Sequence, residues 1–195
     1  MVERGQLSRE RIVAIAHDLI ATEGLEQLSL RRVARRLGVT APALYAYVDD
    51  KVDLLRAVAA TQFERLLASF ESIEAADPLT RVREQAIAYV RHALDDPALF
   101  QVMFAIRPDW AVQPGVEELP AATRAFAAGA AAVEGAMAAG QLRAEDPFLV
   151  SLALWSAVHG VATVVLAGVD LGERFTDRLV VTVIDNLLAG FAAPA

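Results

Sequence analysis

Residues 28–55, LSLRRVARRLGVTAPALYAYVDDKVDLL, hold two short helical patterns with a glycine between them, then an aromatic pair and a lone lysine that opens a longer helix. Ser29 is a good N-cap, and Leu30, Val33, Ala34 and Leu37 follow it on one helical face, opposite Arg31, Arg32, Arg35 and Arg36. Gly38 stands where a left-handed residue ends a helix and lets the chain turn sharply. Thr40 is placed to cap the next helix and Pro42 fits its first turn, although a proline there disfavours a helical Ala41. Leu44 and Val48, four apart, bury against the preceding helix, which leaves Ala41, Ala43, Ala46 and Tyr47 facing outward. This is the pattern of a helix-turn-helix.

Helix-end electrostatics carry the reading from fold to partner. A helix N-terminus prefers anions in its first turn, yet Arg31 and Arg32 sit just after Ser29, and Lys51 opens the helix that Asp49 or Asp50 caps. Cations beside free N–H groups make sense where a phosphate completes the site. Any one of these arginines read alone is a solvated charge; the group together points to double-stranded DNA.

The motif carries a family resemblance. LGVTAPALYAYVDDKVDLL resembles the DNA-binding domain of TetR-type (tetracycline-repressor-like) transcriptional regulators, with Gly38, Val39, Thr40, Leu44, Tyr45, Tyr47 and Lys51 matching in order and spacing. Pro42 replaces the more usual Gly, and Val48 stands where Phe is common. The resemblance implies an all-α protein of about nine helices, with an N-terminal three-helix DNA-binding domain over 1–55 and a ligand-sensing and dimerisation domain over 56–195. Taken with the helix-start cations and the outward face of the second helix, it makes Ser29, Arg31, Thr40, Ala41, Pro42, Ala43, Tyr45, Tyr47 and Lys51 the expected DNA-binding surface.

Composition agrees once the chain is divided. The net charge of −7 argues against nucleic acid, but residues 1–55 carry 8 basic and 8 acidic side chains and the remainder 10 and 17, so the acidity lies C-terminally. Arg4, Arg9, Arg31, Arg32, Arg35 and Lys51 supply a locally positive surface. There is no cysteine, hence no disulfide framework and no thiolate metal site. The charged start MVERGQLSRER has no apolar core and is not a secretory signal, so a cytoplasmic protein is expected.

Helix signals recur down the chain: Ser8 to Gly24, a long helix from Lys51 that dissolves toward Ala75-Ala76-Asp77-Pro78, then Leu79–Leu94, Pro97–Ile106, Pro120–Ala139, Pro147–Ala167 and Phe175–Phe191. Arg107–Leu119 reads as the longest loop. Leu149–Val169 contains no charged residue and is long enough to cross a bilayer, which makes a membrane-associated protein an alternative. Against it, Ser151, Ser156, His159, Gly160 and Thr163 interrupt the run and no Lys/Arg cluster flanks it. A homodimer interface formed with the apolar face of the last helix is the reading adopted, as the family resemblance also implies. Two recognition helices about one DNA turn apart, roughly 34–36 Å, would then match a palindromic operator.

Downstream of the head, Phe100, Met103, Phe104, Trp110, Phe126, Trp155 and His159 are candidates to line the site of a small-molecule effector, against the alternative of ordinary core. Trp155, His159 and Gly160 resemble the Trp/His-Gly signature of one C-terminal subclass. His159 is either a polar handle on a ligand or a core histidine bonded to a backbone carbonyl, the second being favoured. An enzyme finds little support. His17, His92 and His159 lie on separate helices without a nucleophile or phosphate-loop motif. Asp95-Asp96 and Glu145-Asp146 each precede a proline, as helix caps do. No cofactor or metal is expected.

Overall fold

The computed structural model describes residues 6–105, 119–168 and 172–193. Among these, nine α-helices and one 3₁₀ turn (Leu25–Gln27) make an all-α protein: α1 Arg9–Glu23, α2 Leu30–Leu37, α3 Ala41–Leu44, α4 Lys51–Glu71, α5 Pro78–Asp95, α6 Pro97–Ala105, α7 Pro120–Ala138, α8 Pro147–Leu166 and α9 Glu173–Gly190. The sole extended pairing among the described residues is an isolated bridge between Leu142 and Ala192. Trp110, Arg4 and nearly all of the expected Arg107–Leu119 loop fall outside the described residues.

Two compact units are present. The first comprises Met1–Phe63 with Ala98–Pro120, the second Glu64–Pro97 with Ala121–Ala195. In the first, Ile12, Ala16, Leu19 and Ile20 of α1 meet Val33 and Ala34 of α2, Leu44 and Val48 around α3, and Leu54, Leu55, Val58 and Ala59 of α4. Leu99 and Val102 of α6 complete this core. Packing therefore runs past Leu55, because the same apolar face of α4 continues for another helical turn and α6 returns to cover it.

Caps fix the boundaries. Ser8 Oγ accepts from Arg11 N at 3.3 Å and Ser29 Oγ from Arg32 N at 3.3 Å. Gly38 adopts φ 71°, so its N–H reaches Arg35 O at 3.2 Å while Val39 N reaches Ala34 O at 3.0 Å, a paired closure of the helix end. Without that left-handed residue the chain would not return Leu44 to the α1–α2 surface. In the second unit Asp77 caps α5 through Thr80 N at 2.7 Å, and Asp146 caps α8 through Phe148 N at 2.9 Å, as an acid before Pro147 should. Here α5, α8 and α9 pack mutually, and Arg83 Nε meets Asp185 Oδ1 at 2.7 Å to tie α5 to α9.

Candidate nucleic-acid interface

The regular part of α3 is only the four residues Ala41–Leu44. Beyond it the backbone tightens: Tyr45 N reaches Pro42 O at 3.3 Å, Tyr47 N reaches Leu44 O at 2.9 Å and Val48 N reaches Leu44 O at 3.0 Å. Leu44 and Val48 are buried while Tyr45 is 58% and Tyr47 37% exposed, so the two apolar anchors turn the phenols outward. Helix formation begins at Ala41 despite Pro42, with Thr40 in the cap position but making no side-chain capping bond. The Thr40 hydroxyl is exposed and, among the described residues, without a partner. That leaves it available to a base edge.

Two expectations about this surface need correction. Ala41 does not face outward but packs on the head core, and Ala43 is half-buried. Ala41 lies three residues before Leu44 and so shares its buried face; Pro42 and Tyr45 are exposed instead, while Ala46 and Tyr47 face outward as expected. The cation set also shrinks. Arg32 is held by Glu23 and by Gln27 Oε1, the latter at 2.5 Å, and Arg36 Nη2 meets Glu23 Oε1 at 3.0 Å. Arg9 is paired with Asp53. Arg31, Arg35 and Lys51 remain exposed and unpaired among the described residues.

These three lie on α2 and α4, the helices on either side of α3 in the chain. Arg31 stands in the first turn of α2, whose cap is Ser29. Lys51 is the first residue of α4, whose turn is closed by Asp50: Oδ1 accepts from Asp53 N at 2.7 Å and the carbonyl from Leu54 N at 3.2 Å. Arg31 and Lys51 thus occupy the first turns of their helices, positions where a phosphate would be stabilised both by charge and by hydrogen bonding.

The effector candidates divide between the units. In the first, the Phe104 ring lies 6.1 Å from Phe63 edge-on and 5.2 Å from Phe100, with Met103 buried on the same helix. In the second, Phe126 contacts Phe148 at 5.5 Å, although Phe148 is 61% exposed. Trp155 and His159 come together there with a residue that sequence reasoning missed: Tyr89 of α5. Trp155 Nε1 donates to the Tyr89 hydroxyl at 3.2 Å, and that hydroxyl lies 2.8 Å from His159 Nδ1. Indole N–H can only donate, so the Tyr89 oxygen accepts it, and with His159 as the Nε2–H tautomer the same hydroxyl donates to Nδ1. The Nδ1 partner is a phenol on another helix. Burial lowers the His159 pKa and raises that of Tyr89, so both groups stay neutral.

Gln62 was also missed. It is 2% exposed on α4, and its Nε2 has no hydrogen-bond partner among the described residues. A buried amide donor left unmade costs about 1–3 kcal/mol. No periodicity rule flags such a residue, since a single polar position on an apolar face looks like noise.

Comparison with known proteins places this geometry. The family model described as "Bacterial regulatory proteins, tetR family" matches residues 12–58, and that described as "Tetracyclin repressor-like, C-terminal domain" matches residues 82–187. An uncharacterized HTH-type transcriptional regulator of Mycobacterium tuberculosis is 31% identical over 190 residues, covering 95% of this chain and 82% of the relative. A solved structure from Rhodococcus sp. RHA1, a protein of unknown function, is 28% identical with a TM-score of 0.82, covering 98% of this chain and all of its own. A TetR variant of Acinetobacter baumannii AYE, solved in complex with minocycline, shares the fold with a TM-score of 0.69 at 22% identity, over 95% of this chain and 96% of that one.

Proposed function

Because the chain belongs to the TetR family of DNA-binding transcriptional regulators, we propose that it is a homodimeric repressor that binds a palindromic operator and is released by a small apolar or amphipathic effector. The observation that carries the DNA half is the two exposed cations unpaired among the described residues, Arg31 and Lys51, in the first turns of the helices before and after α3. Arg31 and Lys51 anchor phosphates, with Arg35 adding charge, and the exposed Tyr45 and Tyr47 hydroxyls bond the backbone. Ser29 contributes its hydroxyl proton, its oxygen being taken by the cap. Base discrimination falls to Thr40, Pro42 and Ala43, with Ala41 setting how closely the helix approaches, and to Arg31 at a guanine or a narrow groove. Residues 1–55 form this head in the proposal and 56–195 serve the effector and the dimer.

The dimer half is supported by α8 and α9. Along α8, Leu149, Leu152, Ser156, Gly160, Thr163 and Val164 are exposed at helical spacing, while Val150, Leu154, Val158 and Val161 are buried. The Ser156 hydroxyl donates to Leu152 O at 2.7 Å and that of Thr163 to His159 O at 2.7 Å, so the polar members of the stripe are satisfied within their own helix. Phe175 and Val181 add exposed apolar area on α9. This helix pair is read as an isologous contact between two copies. Among the described residues α8 is the one helix long and apolar enough to cross a membrane. The dimer accounts for the same apolarity without one, and a DNA partner places the protein in the cytoplasm. No reaction is assigned to it.

The effector half rests on the Tyr89–His159–Trp155 network of the second unit; Gln62 Nε2, an unmet buried donor among the described residues, is a separate candidate within the first unit. A ligand carrying a hydrogen-bond acceptor on an apolar body fits such groups. Preferential binding to one conformation shifts the population of heads spaced for the operator. Selection of duplex DNA from a random pool, followed by gel shift of the selected site with K51A and Y45F, tests the DNA reading. Weakened binding of both variants is expected, and undiminished affinity of both overturns the assignment.

A further inference from the structure

The short recognition helix raises a mechanical question. Four regular residues and two apolar anchors fix its depth in the head core, but the segment from Tyr45 to Asp50 that carries the exposed phenols is a turn. Among the described residues, its backbone is held by one side-chain pair from outside it. Arg9, the first residue of α1, donates from Nη1 to Tyr47 O at 2.6 Å and to Asp53 Oδ2 at 2.8 Å, and from Nη2 to Asp53 Oδ1 at 2.6 Å. Asp53, in the first turn of α4, also accepts from Asp49 N at 3.0 Å through Oδ2. The start of α1, the turn after α3 and the start of α4 thus meet at one guanidinium–carboxylate fork.

We propose that Arg9 and Asp53 are positioning residues for DNA binding: their fork locks the Tyr45–Asp50 turn to α1 and α4, so that Tyr45, Tyr47 and Lys51 are presented as one rigid surface. Neither residue contacts the DNA. The proposal rests on the DNA-binding reading of this head. Two features set the pair apart from an ordinary surface salt bridge, which contributes little. The fork is bidentate and charge-assisted, the geometry that fixes orientation as well as energy. It also satisfies two main-chain groups within the turn, Tyr47 O and Asp49 N. The side chains are 43% and 21% exposed, so the pair is accessible to substitution without opening the core. Each partner favours the other's charged form: the hydrogen bond to Asp53 raises the Arg9 pKa and the same bond lowers that of Asp53.

The proposal makes a prediction of opposite sign to plain electrostatics. Asp53 is an anion close to the candidate DNA surface, so its removal should strengthen binding to a polyanion if charge alone mattered. If the fork positions the turn, its removal lets the head sample unproductive orientations, and apparent affinity falls by the competent fraction.

The test uses the full chain and the duplex that it selects from a random pool, with D53A, R9A, the double variant R9A/D53A and the milder R9K and D53N. Dissociation constants are read by gel shift or anisotropy, with active fraction by stoichiometric titration and helical content by circular dichroism. D53A and R9A are expected each to weaken binding roughly tenfold, with the double variant no weaker than either single one and the active fraction unchanged. R9K, which keeps the charge but not the fork, is expected to fall with R9A. D53A binding as tightly as or more tightly than the unaltered chain overturns the proposal, as do single effects that add in the double variant. So does a loss seen only as a lower active fraction. Should D53A or R9A fail to fold, unchanged binding by both R9K and D53N overturns it as well. Failure of the unaltered chain to select any duplex would instead remove the DNA reading, a separate outcome.

Discussion

Substituting Gly160 by alanine separates the protomer from the dimer by sign. Gly160 lies in the interior of α8, exposed in the protomer, and a Cβ built there meets no atom within 4 Å. For the isolated chain the change is therefore favourable: alanine in a helix interior is worth about 0.5–1 kcal/mol over glycine. In the proposed dimer Gly160 sits in the middle of the α8 stripe, where a two-fold axis presents the position twice. Two added methyl groups in a packed contact cost roughly 1–3 kcal/mol each in displaced neighbours. Overpacking of about 2–6 kcal/mol thus opposes a helix gain that is present in monomer and dimer alike and so cancels from dissociation. At about 1.4 kcal/mol per decade, the dimer should weaken between roughly thirtyfold and twenty-thousandfold. Sedimentation equilibrium over a dilution series reads the dissociation constant. Helical content of the dilute monomer during heating reads the intrinsic gain. A G160A dimer as tight as the unaltered one, with a more stable helix, would refute close approach at Gly160 and with it this placement of the interface.

Three further outcomes follow from the same structure. K51A should weaken binding to selected and unrelated duplexes alike and flatten the dependence of log affinity on log salt by about one counterion per protomer, whereas Y45F should weaken binding with little change of slope; salt titrations of anisotropy read both. G38A should destabilise the head by roughly 1–2 kcal/mol, because φ is 71° although a Cβ has open space, and a thermal midpoint no lower than that of the unaltered chain contradicts this. Burial is the leading cause that lowers the pKa of His159 and of His92, the latter also being raised by Asp95 and lowered by Arg65. The unfolded chain therefore takes up protons first as pH falls through the ordinary imidazole value of 6.5. Stability should decline from there down to the lowered folded pKa and H159Q should reduce that slope, as denaturant midpoints against pH would record.

Much of this is legible in the sequence because the signals are local. Ser8, Ser29 and Gly38 act within one turn of themselves, and a proline after an acid marks a helix start whatever surrounds it, so α1, α2, α5 and α8 emerge with boundaries close to those observed. What depends on a partner far along the chain does not emerge. Arg32 reads as a DNA cation until Glu23 is seen to hold it, and Arg9 until Asp53, 44 residues away, is brought beside it. The outward set on α3 is misread because Ala41, three residues before Leu44, shares its buried face and Ala43 is half-buried. Trp155 and His159 pair by their four-residue spacing, but only the packing of α5 on α8 supplies Tyr89.

The central claim is that two copies of this chain present one rigid α3 surface each to a two-fold DNA site. Selection from a random duplex pool followed by sequencing and by the stoichiometry of the selected complex tests it most directly. An inverted repeat bound by two protomers, with half-site centres separated by about one helical turn or a multiple of it, is the predicted result. Enrichment of no sequence, or of a single half-site bound by one chain, would contradict it.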